Sequence, residues 1–217
     1  MRFATTKPFL LSEFKNYKPT LILNLKTGAK KKAGPRLPYP DSELRRKTID
    51  YSITQAGKKY LFSYDGSDML FTTTDFERFS GYLCKSQNVF GNLADYFGNS
   101  DIYSTIKRRV QSCFYSFIVW DPYREVLYRF YKIGKKDLRN TDNLNDLNYY
   151  PPSFGIMVIN KHMEIISDQV YEDSKYFFGN FFIDKNGLYI SINHPNNPEM
   201  DYKKLTFELF ELVKNDS

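Results

Sequence analysis

The chain has 217 residues, 41% of them hydrophobic, and a formal net charge of +6, long enough for one or two domains with a sizeable core. No apolar run approaches the roughly 18 residues that a membrane-spanning helix needs, and Cys84 and Cys113 make neither a disulfide framework nor a zinc pattern, so two buried thiols are expected. Aromatics reach 18%, with 18 Tyr and 19 Phe, which suits sheets, where flat rings pack on pleated surfaces.

The N-terminal stretch MRFATTKPFLLSEF has a positive charge but no apolar core before Glu13, so it does not read as a signal peptide. If Met1 is the true start, the compartment implied is the cytoplasm. Pro19 to Leu25 reads as a short buried strand, stopped by Lys26-Thr27-Gly28, and residues 29 to 47 read as a loop. Thr48 to Thr54 alternates through Ile49, Tyr51 and Ile53. Ala56-Gly57 turns it into Lys59 to Tyr64, Asp65-Gly66 turns that into Met69 to Thr74, and a fourth strand is expected around Phe76 to Leu83. A four-stranded meander of this kind is the unit of a propeller blade.

Between these strands and the next set, residues 86 to 108 read as loop, with Ser104 to Arg109 either one helical turn or a strand. Cys113 to Trp120 and Glu125 to Ile133 then flank Asp121-Pro122, a turn in which proline presets φ and the Asp side chain caps its own backbone. The strand faces should divide as Val126, Tyr128 and Phe130 against Leu127, Arg129 and Tyr131, with Arg129 reaching solvent or a carboxylate. After a polar excursion from Lys135 to Asn148, Phe154 to Ile159 and Met163 to Val170 complete the second meander. Tyr176 to Ile183, Leu188 to Asn193 and Leu205 to Leu212 make a final set of three. The fold predicted is all-β: a partial β-propeller of about three to four blades built from four-stranded antiparallel meanders. Residues 1–217 form one domain, with blades near 1–47 (partial), 48–84, 113–170 and 176–212.

The chemistry-bearing residues are sparse. The charge excess lies in one segment, where Lys26, Lys30, Lys31, Lys32, Arg36, Arg45, Arg46 and Lys47 face only Asp41 and Glu43. Such a cluster suits an anionic surface or nucleic acid. Tyr39 is its one aromatic, so nothing offers a base-stacking platform, and a solvated loop is the plainer reading. His162 and His194 are the only histidines and both fall in turns, where solvent-facing side chains are expected. There is no Gly-x-Ser-x-Gly elbow, no phosphate or dinucleotide loop and no metal-ligand spacing. Asp184-Lys185-Asn186-Gly187 reads as a hairpin turn. No catalytic residue, metal or cofactor is predicted. Tyr123, Tyr149, Tyr150 and Tyr202 fall in turns or loops near Arg124 and Arg139, and exposed rings there suit recognition of a protein, peptide or glycan. The reading is a non-enzymatic binding or scaffold module. A hydrolase or lyase with a site on channel-facing loops, and anionic-surface binding through 26–47, stand behind it.

Two places resemble a known family. The hairpin from Trp120 through Asp121-Pro122-Tyr123-Arg124 to Tyr128-Arg129-Phe130, and the later strands Ser153–Asn160, Gly187–Ser191 and Phe207–Phe210, are similar to the bacterial domain of unknown function 4221. The resemblance runs from about Pro19 to the end. It implies a six-bladed, TolB-like propeller, often exported as a lipoprotein to the periplasm or cell surface, with no assigned activity. The chain has three and a half blades instead of six and lacks an N-terminal lipid-attachment cysteine, so it resembles the C-terminal half of a member. Exposed blade edges and self-association are expected to follow.

Overall fold

The computed structural model describes residues 18, 20–35, 50–89 and 101–213. They form four antiparallel sheets of two to four strands and two short helices, a partial, propeller-like all-β fold. The first sheet pairs β1 (Thr20–Leu23) with β2 (Lys30–Ala33). The second orders β3 (Tyr51–Ala56), β4 (Lys59–Tyr64), β5 (Met69–Thr73) and β6 (Ser80–Leu83) as a meander. The third does the same with β7 (Phe114–Asp121), β8 (Val126–Lys132), β9 (Phe154–Asn160) and β10 (Ile165–Tyr171). The last holds β11 (Phe177–Ile183), β12 (Leu188–Ser191) and β13 (Phe207–Phe210).

The third sheet is covered on both sides, and β8 shows how. All seven of its residues are buried. Because successive side chains alternate faces, Leu127 and Tyr131 join a core with Leu61, Leu70 and Ile118, while Val126, Tyr128 and Phe130 join one with Ile156, Phe178 and Leu188. The expected division of faces holds. The extra residue in β7 between Tyr115 and Ile118 is a bulge that bends the strand. Its neighbour across the gap is β3, whose Ser52 and Thr54 hydroxyls accept from the Ile118 and Trp120 amides at 3.1 Å each. The first strands of the second and third sheets therefore lie side by side.

Phe130 stacks on Phe181 at 4.7 Å, and Phe154 on Phe178 at 4.9 Å. On the opposite face Gly155 is required by Tyr131, since a Cβ there would lie 1.9 Å from the Tyr131 ring.

Several expectations are corrected. Lys30–Ala33 is a strand and not loop, because its backbone completes a ladder with β1. The last strand of the second sheet starts at Ser80. Before it, the Asp75 carboxylate accepts from the Glu77 and Arg78 amides, and Phe76 sits at φ 59, in a turn that cannot continue a strand. Residues Ile102–Gln111 form a ten-residue helix, α1, capped by the Asp101 side chain on the Ser104 amide. Leu144–Tyr149 form a second helix, α2, capped by Asn143. Arg129 does not reach solvent: it is fully buried.

Candidate binding surfaces

The antiparallel meanders sort the loops by end, and this divides the aromatic and arginine residues singled out by sequence. Tyr123 and Arg124 lie in the β7–β8 turn. Arg139, Tyr149 and Tyr150 lie in the β8–β9 connection, at the opposite end of the same sheet. Tyr202 lies in the β12–β13 connection. The other end of that sheet, the β11–β12 turn, touches Arg124, so Tyr202 falls at the end that carries Tyr149.

At the first end Arg124 is a tie between sheets. Its guanidinium donates to Asp121 Oδ2 at 3.0 Å, to the Asp184 carbonyl at 3.3 Å and to the Lys185 carbonyl at 2.9 Å. Asp121 is wholly buried and also accepts from the Tyr123 and Arg124 amides, the capping read from sequence. Beside Asp121, burial pushes the Tyr128 phenol up to about 12. Tyr123 alone projects, 62% exposed.

At the second end Tyr149 is 61% and Tyr202 86% exposed, and Arg139 is exposed. Tyr150 turns inward, its ring 5.4 Å from Phe177 and 5.8 Å from His194. His194 is not the solvent-facing residue expected. It is 1% exposed; its Nδ1 accepts from the Asn196 amide, and its Nε2 has no hydrogen-bond partner among the described residues. Burial lowers its pKa and keeps it neutral. His162 is exposed, as expected.

Of the basic segment, Lys30, Lys31 and Lys32 are exposed on β2. Arg36, Arg45, Arg46 and Lys47 lie outside the described residues. Leu21 pairs with Lys32 and Leu23 with Lys30. Residues directly opposite share a face, so one face of the hairpin shows two leucines, 60% and 48% exposed, between lysines. Lys31 points the other way and pairs with Glu77 at 2.7 Å.

The polar cluster that sequence reasoning missed lies between the second and third sheets. Arg129 donates to Ser63 Oγ and to the carbonyls of Ser67, Asp68 and Cys84, with its guanidinium 3.4 Å from the Tyr115 ring centre. Asp168 accepts from the Tyr131 hydroxyl at 2.6 Å, from Ser86 Oγ at 2.8 Å and from the Gln87 amide at 2.9 Å. Asn88 reaches the Tyr131 hydroxyl at 3.1 Å, and Tyr115 donates to Asp68 at 2.7 Å. Burial raises both phenols well above the usual tyrosine range. They stay protonated and serve as donors, so the cluster latches the 84–89 segment onto the third sheet. The one available signal was Arg129 itself, a charged residue in an otherwise apolar alternation.

A buried lysine joins the list. Lys132 Nζ donates to the Arg109 carbonyl at 2.7 Å and to the Val110 carbonyl at 3.4 Å, at the C-terminal end of α1, where unpaired carbonyls favour a cation. Burial and the nearby Arg109 charge push it down to about 7. Cys84 and Cys113 are free and buried, as expected. Among the described residues no His, Cys, Asp and Glu group could hold a metal, and no helix is long and apolar enough to cross a membrane.

No curated protein matches the chain. A crystal structure of a DUF4221 family member from Bacteroides vulgatus is similar to it, with a TM-score of 0.77 and 25% sequence identity. The match covers 96% of this chain and 59% of that one, so the chain spans somewhat more than half the length of its relative. Residues 15–150 match the family model described as Domain of unknown function (DUF4221), well over half of the sequence and including the Trp120–Phe130 hairpin. With the fold and the family model in agreement, the chain belongs to the DUF4221 family.

Proposed function

We propose that the chain is a non-enzymatic binding or scaffold module, with its sheets acting as the blades of one partial propeller near 1–47, 48–84, 113–170 and 176–212. Its ligand would be a protein, peptide or glycan. The observation that carries this reading is the pair Tyr149 and Tyr202, 61% and 86% exposed at the same end of the sheets. Large rings held in water by a rigid scaffold suit recognition. Arg139, exposed at that end, supplies a donor fork. Tyr150 supports the surface from beneath through Phe177. Tyr123 offers a separate contact at the other end, while Arg124 acts chiefly in holding the turns together.

The test is a screen of immobilised glycans and peptides with the whole chain, repeated with Tyr149→Ala and Tyr202→Ala. Loss of a hit by tenfold or more in both variants, with unchanged Tm, is the expected result. A hit indifferent to both would place recognition elsewhere, and turnover of any screened compound would favour the hydrolase or lyase alternative.

A second reading has its own observation. Leucines between lysines on the outer face of β1–β2 suit an anionic surface better than nucleic acid, since they add apolar contact to charge. Co-sedimentation with vesicles containing phosphatidylserine should fall steeply between 50 and about 200 mM salt and fall again with Leu21→Ser. Salt-independent binding, or none, would remove this reading.

A further inference from the structure

The connection between β12 and β13 closes on itself. The Ile192 amide donates to the Thr206 carbonyl at 3.0 Å, which joins its two ends. Asn193 ties them again: its Nδ2 donates to the Lys204 carbonyl and its Oδ1 accepts from the Thr206 amide, both at 2.7 Å. Asn197 braces the near turn through the Ile192 carbonyl and the Glu199 amide. Between residues 193 and 205 only His194 and Asn197 are buried. His194 is the plug that seats this loop on the rest of the molecule. Its ring meets Tyr150 edge-on, at 5.8 Å and 80°. The loop that carries Tyr202 thus touches the connection that carries Tyr149.

The plug fits only while the imidazole is neutral. Its Nδ1 accepts from the Asn196 amide at 3.1 Å, so Nε2 holds the single ring proton. A second proton would have to go onto Nδ1, where it would face the Asn196 N–H donor to donor. It would also place a full charge on a ring that is 1% exposed and whose Nε2 has no hydrogen-bond partner among the described residues. The titratable groups facing the ring are the Tyr150 phenol and the Asp173 carboxylate, the latter from the β10–β11 connection. Burial disfavours the charged ring, and the smaller influences of the Tyr150 main chain and Asp173 favour it. Glu199, on the same loop, acts on Lys175, which Glu208 holds.

We propose that His194 is an acid-released plug: neutral, it seats the 192–206 loop against Tyr150, and protonated, it leaves its site and frees the loop. On the recognition reading above, on which this consequence rests, the release takes Tyr202 out of register with Tyr149. The direction follows from linkage. In the freed loop the ring titrates near its ordinary value of about 6.5, and in the seated loop below it. Opening therefore takes up a proton, and acid favours it between those two values. This is a local opening, with the sheets intact.

The experiment is amide hydrogen exchange on the whole chain at pH 7.5 and 5.0, followed by NMR and corrected for the intrinsic effect of pH. Protection of the Asn196, Asn197 and Thr206 amides should fall at least fivefold on acidification, while the β8 amides keep theirs. His194→Asn, whose Oδ1 can accept from the Asn196 amide without titrating, should abolish the fall. Asp173→Asn, an exposed change that removes an anion helping the seated ring to carry charge, should enlarge it, and decides the matter if His194→Asn leaves the loop open at both pH values. Equal protection of the wild type at both pH values would overturn the proposal. So would a fall shared by the β8 amides, which would be global unfolding, or a fall that Asp173→Asn leaves unchanged. The peptide and glycan screen judges the recognition reading and exchange judges the plug, so either can fail alone.

Discussion

Arg129 shows how one residue can hold two sheets together. A guanidinium has five donors in a fixed plane, and here they meet three carbonyls and a hydroxyl while the ring of Tyr115 lies against its face. Arg129→Met keeps much of the volume but leaves buried acceptors unmatched. It should cost at least about 3 kcal/mol, read as a shift in urea midpoint at constant slope. A loss below about 1 kcal/mol would mean that water or a neighbour takes over the acceptors.

His194 makes a second prediction at this scale. Its folded pKa is depressed by burial, so below about pH 6.5 the unfolded chain binds a proton that the folded chain resists. Its contribution is therefore complete above about pH 6.5 and is lost as pH falls toward the folded value. The urea midpoint should drop between pH 7.5 and 5, and His194→Gln should flatten that drop. Parallel pH profiles for the two proteins would refute the assignment. Sequence placed His194 correctly in a loop but not its burial, because nothing local shows that Tyr150 and Asn196 close over it.

Among the elements, strands were more legible than helices. The β7–β8 hairpin was readable because Asp121-Pro122 and the alternating aromatics agree locally. The helix α1 was not read, although Asp101 caps it and Ile102, Ile106 and Val110 recur four apart, because its polar residues outnumber the apolar ones. Its docking relies in part on Lys132, thirty positions beyond its first residue. β2 was hidden for a similar reason: three lysines in a row carry no strand signal, and only pairing to β1 makes them one.

Lys132 gives the element-scale prediction. Its folded pKa lies near 7, while an unfolded lysine keeps its proton to about 10.4. Between those values the unfolded chain holds more protons, so this group makes stability rise with pH. Chemical denaturation at pH 7 and 9.5 should show that rise in the wild type and a smaller one in Lys132→Met. Equal slopes would place the lysine's charge outside the energetics of α1 docking.

At the scale of the molecule, the first and last sheets show apolar side chains among the described residues: Leu21 and Leu23 on one, Leu209, Leu212 and Val213 at the other, all at least a third exposed. Apolar surface of this kind favours association. Light scattering on the purified chain should show a concentration-dependent rise in mass, reduced by Leu21→Lys together with Leu23→Lys. A monodisperse monomer at all concentrations would show that these side chains are covered from within the chain. The two four-stranded meanders were legible from turn spacing, whereas the β1–β2 sheet was not. The polar latch of Asp168, Ser86 and Asn88 was not legible either, since Asp168 lies about 80 positions from the other two and each is unremarkable by itself.

The strand β8, closed in on both faces and paired along both edges, gives the molecule an internal clock. Its amides have no local route to water, so deuterium can enter them only when the second, third and fourth sheets come apart together. They should be the last to exchange, and at one shared rate. A patchwork of rates along Val126–Lys132 would mean that the sheets open one at a time, like leaves of a fan, and that they are held together pair by pair.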